Sequence, residues 1–321
     1  MIENRMTEMT ADTGKTGKRP DSSWPDGVLN IYKEKGYTSF DVVAKLRGIL
    51  HVKKIGHTGT LDPAAEGVLP VCLGTATHLC DMLTDKSKVY RAVMLLGRET
   101  DTQDCTGQIL REAQVRAGEE AVREAVLSFV GDYDQIPPMY SALKVDGKRL
   151  YDLARAGKTV ERKARPVRIY EIRIEEVALP RVTMTVHCSK GTYIRTLCHD
   201  IGQKLGCGAC MESLLRTRVD RFTLEDSLTL AQIETLRDAG KLSERILPIE
   251  AVFAGLPALH TDPERDRLAR NGNKIPWRTE EEAFPEGARV RLYSSDGSFI
   301  GIYEARQEER QFKPVKIFYR A

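Results

Sequence analysis

The residues Gly56-His57-Thr58-Gly59-Thr60-Leu61-Asp62-Pro63 put a histidine, two threonines and a carboxylate into one glycine-punctuated loop. The chain then turns apolar over residues 67–74. A carboxylate at the mouth of a buried strand is partly shielded from water. There it can act as a nucleophile at a sugar carbon, or stabilise an oxocarbenium-like centre. A glycosidase would need a second carboxylate in a comparable loop, and the sequence offers none. A basic partner would instead keep Asp62 ionised and aimed. Arg195 is the candidate, in the first turn of a helix that follows Ser189 and just off that helix's apolar stripe. Gly56 and Gly59 permit conformations and close approaches that side chains would block. Taken singly, each feature has a plainer meaning: a turn at Asp62-Pro63, a hydrogen-bonding histidine at 57, a surface arginine at 195.

The elements that must position these groups follow from periodicity. Residues 27–32 form a short strand. Thr38 and Asp41 make a capping box, with Asp in place of Glu, and open a helix whose apolar face is 42, 43, 46, 49 and 50. The glycine-punctuated loop comes next. Strand 68–73 follows it, with Pro70 suggesting an edge or a bulge. Thr75 is placed to cap the helix after it. Strand 88–96 is apolar on both faces, which predicts a central position. A helix over 119–130, a proline-rich loop, an Asp146-Gly147 turn and a short basic helix lead to strands 167–177 and 182–188. Gly191-Thr192 opens a helix with Ile194, Leu197, Ile201 and Leu205 inside. Helices and strands mix with few strand-helix-strand repeats, so the expected class is α+β with a mixed or largely antiparallel sheet. Residues 247–257 read as a junction. Beyond it, strands at 288–293, 298–305 and 313–319, with a Ser295-Asp296-Gly297 turn, form a small β-rich domain.

At 321 residues, 41% hydrophobic and 30% charged, the chain suits a soluble globular protein with one large and one small domain. No apolar run approaches the ~18 residues that cross a membrane. Residues 1–24 lack the apolar core of a secretory signal and read as a flexible tail. Seven cysteines without an export signal fit a reducing cytoplasm. Cys207 and Cys210 form a lone CxxC, without the second pair or histidines that a zinc site needs. Net charge is only +3, but residues 144–168 hold nine Lys/Arg against three Asp/Glu. That local excess suits a phosphate backbone, although on charge alone a solvated surface is the plainer reading.

Five blocks carry a resemblance: GHTGTLDPAAEGVLPVCLGTAT (56–77), KVYRA (88–92), IPPMYSALKVDGKRLYDLARAG (136–157), RPVRIYE (165–171) and CSKGTYIRTLCHDIGQKLGCGA (188–209). In this order, and from about residue 27 to 228, the chain resembles the TruB family, the bacterial tRNA pseudouridine-55 synthases. The resemblance implies a pseudouridine synthase catalytic domain over 25–247 and a PUA-like RNA-binding domain over 248–321. It implies an isomerase that breaks the N1–C1′ bond of a T-loop uridine and rejoins the uracil through C5. No redox cofactor, nucleotide or metal is required. It makes Asp62 the catalytic residue, pairs Arg195 with it, and sets Tyr90 against the flipped uracil. Tyr193 and Leu214 would line the base pocket. His57 would fill the space that the flipped base leaves. Lys33, Lys144, Lys148 and Arg149 would contact RNA.

The expected partner is the tRNA T-arm, without an obligate protein partner, for a cytoplasmic monomer with an accessory tRNA-folding role. A folding chaperone with lost chemistry and a guide-RNA-dependent synthase are the competing readings. The sequence departs from the family pattern at Tyr32 and Glu34, which flank Lys33 where Asp and Pro are expected. Leu215 stands where a basic residue is expected, and Asp220 where glycine is.

Overall fold

A computed structural model describes residues 24–145, 147–279, 281 and 284–319. The expected tail therefore lies outside the described residues, apart from Trp24, whose indole donates to the Leu50 carbonyl at 3.1 Å. Asp146 of the expected turn also lies outside them.

Strand β1 (Gly27–Lys33) leads to helix α1 (Ser39–Leu50). The Thr38 hydroxyl accepts from the Asp41 amide, and the Asp41 carboxylate accepts from the Thr38 amide, so the capping box forms with Asp. Val42, Val43, Leu46, Ile49 and Leu50 are its buried face. Strands β2 (Ile55–His57) and β3 (Glu66–Leu73) bracket the loop that holds Asp62. A short 3-10 turn over Gly74–Leu79 then runs into α2 (Cys80–Thr84). Thr75 does not cap it. Its hydroxyl donates to the Asp26 carboxylate instead, which ties the turn to the start of β1.

Next come β4 (Lys88–Leu96), the ribbon β5 (Arg98–Thr100) and β6 (Ile109–Glu112), and α3 (Glu119–Leu127). Helix α3 stops short of the expected 130: Val122, Ala125 and Val126 are buried, but Val130 is exposed. Strand β7 (Gly131–Gln135) precedes a small hairpin, β8 (Lys144–Val145) and β9 (Lys148–Arg149), and helix α4 (Leu150–Arg155). Long antiparallel strands β10 (Arg165–Ala178) and β11 (Arg181–Cys188) follow. Helix α5 (Ile194–Lys204) starts later than Gly191, because Gly191 has a φ of +78°, outside the helical region. Strands β12 (Ala209–Val219) and β13 (Phe222–Thr223), helix α6 (Leu230–Asp238), strand β14 (Ile246–Pro248) and helix α7 (Ile249–Val252) complete this part.

Ten strands form one sheet in the order β14-β1-β3-β12-β4-β11-β10-β7, with β2 on β3 and β13 on β12. Every pairing is antiparallel except β12 with β3. Strand β4 is central, as its two apolar faces predict. Pro70, read as an edge signal, lies instead in the interior strand β3. The Pro70 carbonyl accepts from the Thr58 amide at 3.1 Å, so this residue's hydrogen-bonding side faces away from β1. Its missing N–H therefore costs no bond in the β1 ladder. The β12–β13 turn explains one departure. Asp220 has a φ of +52°, so aspartate takes the left-handed conformation expected of glycine, which its short polar side chain tolerates.

The C-terminal part is a second sheet of five strands. These are β15 (Ala258–His260), β16 (Ile275–Pro276), β17 (Arg289–Tyr293), β18 (Phe299–Arg306) and β19 (Gln311–Ile317), with α8 (Pro263–Arg270) against them. It has its own core, centred on Val290, Leu292, Tyr303 and Phe312. Ile302 and Phe318 join a further cluster with Val28, Val68 and Ile249, so apolar packing connects the two sheets. Among the described residues no helix is long and apolar enough to cross a membrane.

Candidate functional site

Side chains from three elements hold the backbone of the loop between β2 and β3. From α1, the buried Ser39 hydroxyl accepts from the Leu61 amide at 2.9 Å. From β1, the Lys33 ammonium donates to the carbonyls of Ala65 at 2.5 Å, Glu34 at 3.2 Å and Pro63 at 3.4 Å. From β12, the Arg216 guanidinium donates to the carbonyls of Val68 at 2.7 Å and Gly59 at 3.3 Å. Two glycines make the loop's path possible. Gly59 has a φ of +132°, and a Cβ on Gly56 would lie 2.8 Å from the Cys80 sulfur. Lys33 corrects an expectation: it was placed among the RNA contacts, yet it is fully buried beneath the loop. Burial pulls its pKa down to about 8, against the opposing charges of Glu66 and Asp62.

Asp62 projects from this loop toward α5. Arg195 meets both of its oxygens, Nε to Oδ2 at 3.0 Å and Nη2 to Oδ1 at 3.4 Å. The Arg195 side chain is only 6% exposed, whereas that of Asp62 keeps 38% open, so the carboxylate can be reached and its partner cannot. The remaining Arg195 donors go to the Thr102 carbonyl at 2.9 Å and the Tyr140 carbonyl at 2.8 Å. Asp104 stands behind the pair, 3.9 Å from Arg195. It is held by the hydroxyls of Thr102 and Thr106 and by the Thr106 amide. Burial raises the Asp62 carboxyl above the ordinary range. Arg195 pulls it back down, Asp104 pushes it up, and Lys33 pulls it down more weakly.

Tyr90 and Leu214 belong to one apolar cluster with Leu61, the neighbour of Asp62, and Ala65. Leu214 faces Ala92 across the β12–β4 ladder, and Tyr90 faces Arg216. The Tyr90 hydroxyl also bonds Arg216, which lowers its pKa, but burial dominates and keeps the phenol protonated. Tyr193 precedes α5. Its amide donates to the Gln135 side chain at 2.7 Å and its carbonyl accepts from it at 3.0 Å, which clamps the start of the helix. His57 ends β2. Its Nδ1 accepts from the Gly59 amide at 3.4 Å, so the ring proton is on Nε2. Burial and the charge of Arg216 lower its pKa, which keeps the imidazole neutral.

Lys144, Lys148 and Arg149 lie elsewhere, exposed on the β8–β9 hairpin. With Lys158 they line a groove of about 500 Å³. Among the described residues only Arg168 of the 144–168 block makes an ion pair, with Asp132 at 3.3 Å.

The structure thus pairs Asp62 with Arg195, sets Tyr90 and Leu214 in one core cluster with Leu61, places His57 at the start of the same loop and Tyr193 two residues before Arg195, and leaves the hairpin cations on the surface. Sequence reasoning missed Asp104, Arg216 and Ser39. Arg216 carried no clear signal, since β12 also holds Glu212 and Arg218 and neither is buried. Asp104 carried none, because its loop reaches Arg195 only through tertiary structure. Among the described residues no group of three or more His, Cys, Asp or Glu could hold a metal ion.

Comparison with known proteins identifies the chain's relatives. Three family models match in succession. They are the TruB family pseudouridylate synthase N-terminal domain over residues 47–194, the tRNA pseudouridylate synthase B C-terminal domain over 195–254, and the pseudouridine synthase II TruB C-terminal model over 257–313. The protein named tRNA pseudouridine synthase B from Lachnoclostridium phytofermentans is 50% identical over 306 residues, covering 91% of this chain and 99% of that protein. Its namesake from Clostridium acetobutylicum is 43% identical, covering 91% and 99%. Among solved structures, a chain of a Cbf5-Nop10-Gar1 complex aligns with a TM-score of 0.68 and 26% identity, covering 94% of this chain and 91% of that one. A chain of an H/ACA RNP bound to a substrate RNA containing 2'-deoxyuridine aligns at 0.67 and 24%, covering 94% and 92%, a likeness of fold alone. The α+β architecture is therefore that of the pseudouridine synthases, and the chain belongs to the TruB family of pseudouridylate synthases.

Proposed function

We propose that this chain isomerises the T-loop uridine at position 55 of tRNA to pseudouridine, with Asp62 as the catalytic carboxylate. The observation that carries the reading is the reachable Asp62 carboxylate held on both oxygens by a buried arginine. In the reaction the N1–C1′ bond breaks, the uracil turns, and a C5–C1′ bond forms. The proton on C5 is lost and N1 gains one, so nothing is oxidised or reduced. Asp62 acts by attack at C1′, by addition to the ring, or by promoting loss of a sugar proton. Each route needs the ionised carboxylate that Arg195 favours.

Tyr90 and Leu214 supply the surface on which the extruded uracil lies. Burial disfavours the phenolate that Tyr90 would need to act as a base, so stacking is its better-supported role. His57, neutral and on a glycine-hinged loop, takes the place of the flipped base rather than moving a proton. The exposed cations of residues 144–168 grip the RNA backbone, as does the C-terminal β-rich domain. The same grip allows an accessory role in tRNA folding. The protein works as a cytoplasmic monomer without guide RNA or protein partner.

The test is tritium release from a T-arm stem-loop transcript carrying 5-tritiated uridine, with purified protein and nothing added. About one equivalent released per RNA, and none with Asp62→Asn at retained affinity, supports the reading. Binding without release would move the weight to a folding chaperone. Release by Asp62→Asn would overturn the assignment of the carboxylate.

A further inference from the structure

Phe40 is the most exposed large apolar side chain among the described residues, at 69%. It stands in the first turn of α1, and the buried positions of that helix do not include it. The helix's other exposed positions are Asp41, Ala44, Lys45, Arg47 and Gly48, so a phenyl ring is out of character there. A lone exposed aromatic is ordinary on a protein surface. This one is fixed relative to the Asp62 loop. Its neighbour Ser39 bonds the Leu61 amide at 2.9 Å, and the capping box sets the turn that presents it. Its ring meets His57 with centroids 5.7 Å apart and planes at 85°.

Perpendicular rings form a corner rather than a continuous stack. A base displaced by His57 and a base resting on Phe40 must therefore occupy different planes. Unpaired RNA loops are recognised chiefly by splayed bases lying on aromatic side chains.

We propose that Phe40 is a second stacking platform, which receives an unpaired base of the substrate loop adjacent to the target uridine while His57 fills the gap left by the target itself. The proposal rests on the T-loop reading above. It makes Phe40 a substrate-binding residue that reads loop conformation and takes no part in bond breaking. The alternative is that Phe40 only braces the imidazole, in which case any apolar side chain of similar bulk would serve.

The experiment measures stem-loop binding in an Asp62→Asn background, so that no RNA is converted. Phe40→Ala should weaken binding about 5- to 150-fold, the range that base–aromatic stacking supplies. Phe40→Leu should behave like Phe40→Ala, and Phe40→Trp should restore binding. All three should melt at the parent's temperature, since the ring is outside the core. Abasic substitutions are then made at each unpaired loop nucleotide other than the target. At one position the abasic RNA should cost the parent the same factor and cost Phe40→Ala nothing further. Parent-like binding by Phe40→Ala or by Phe40→Leu would overturn the platform, as would an equal loss on every abasic RNA. A parent that fails to bind the intact stem-loop would overturn the T-loop reading itself, a different result from any of these.

Discussion

The loop carrying Asp62 and the hairpin carrying Lys148 are both rich in charge and use it in opposite ways. Around Asp62 the cations are buried and saturated. Arg195 spends its donors on one carboxylate and two carbonyls, while Lys33 and Arg216 are buried beneath the loop among carbonyl oxygens. On the hairpin, Lys144, Lys148 and Arg149 are exposed. A saturated buried cation has one geometry, and breaking it leaves polar groups stranded. An exposed cation has many geometries, and its attraction is screened by salt. The first arrangement suits chemistry, where preorganised charge lowers a barrier. The second suits a grip on a mobile polyanion.

The largest expected effect comes from breaking the first arrangement at its centre. Arg195→Met leaves Asp62 beside Asp104 with no cation between them. The Asp62 pKa, already raised by burial, should climb further. Removing one preorganised electrostatic partner from a reacting group costs about 10²- to 10³-fold in kcat, so turnover should fall by that order. The acid limb of the pH–rate profile should move to higher pH. Turnover within a few-fold of the parent would mean that the pairing is ornamental.

Lys33→Met attacks the same cradle from below and should be read as stability. It strands three carbonyls, at a cost of about 1–3 kcal/mol at pH 7. It should also change a slope. The folded pKa of Lys33 is about 8 against an ordinary lysine value of 10.5, so between those values the unfolded chain holds more protons. That makes the Lys33 contribution to stability rise with pH across this window, and Lys33→Met lacks it. Urea unfolding at pH 7 and pH 9.5 should therefore find the gap between parent and variant wider at pH 9.5. A constant gap would mean that burial does not depress this lysine.

Asp104→Asn should be milder, about tenfold in turnover, because Arg195 keeps its other partners. Its pH signature runs opposite to that of Arg195→Met. Asp104 pushes the Asp62 pKa up, so its neutralisation should shift the acid limb to lower pH. A shift upward would mean that Asp104 acts only by orienting Arg195.

These three variants also divide what the sequence made legible from what it did not. Asp62 and Arg195 were readable because each came with local context, a glycine-punctuated loop and a helix's first turn. The strands at 27–32, 68–73, 88–96, 167–177 and 182–188 and the capping box at Thr38 and Asp41 were readable because period and capping are local, whereas β12, between β3 and β4 in the sheet, carried no such period. Only the resemblance sets Lys33 at the RNA, and a cation at a strand end carries no local mark of burial. Only the return of the Asp62 loop over β1 buries it. Asp104 meets Arg195 across 91 residues of chain, a contact that no spacing encodes. Thr75 and Pro70 misled for the same reason: Asp26 and Thr58, which set their roles, are distant in sequence.

The hairpin gives the smallest effect and the sharpest contrast. Lys148→Gln with Arg149→Gln removes two exposed cations that make no ion pair among the described residues; Arg149 gives up only an exposed bond to the Tyr151 hydroxyl at 2.7 Å, so stability should barely change. Each phosphate contact to single-stranded RNA contributes about 0.7 to the slope of log affinity against log salt. The double variant should therefore flatten that slope by about 1.4, lose affinity most at low salt, and keep parental turnover at saturating RNA. Affinity and slope must move together, since both count released counterions. A loss of affinity with an unchanged slope would mean that Lys148 and Arg149 touch bases or ribose rather than phosphate. A loss of turnover at saturation would erase the division between the two regions, because the hairpin would then belong to the machinery that holds Asp62 on its target.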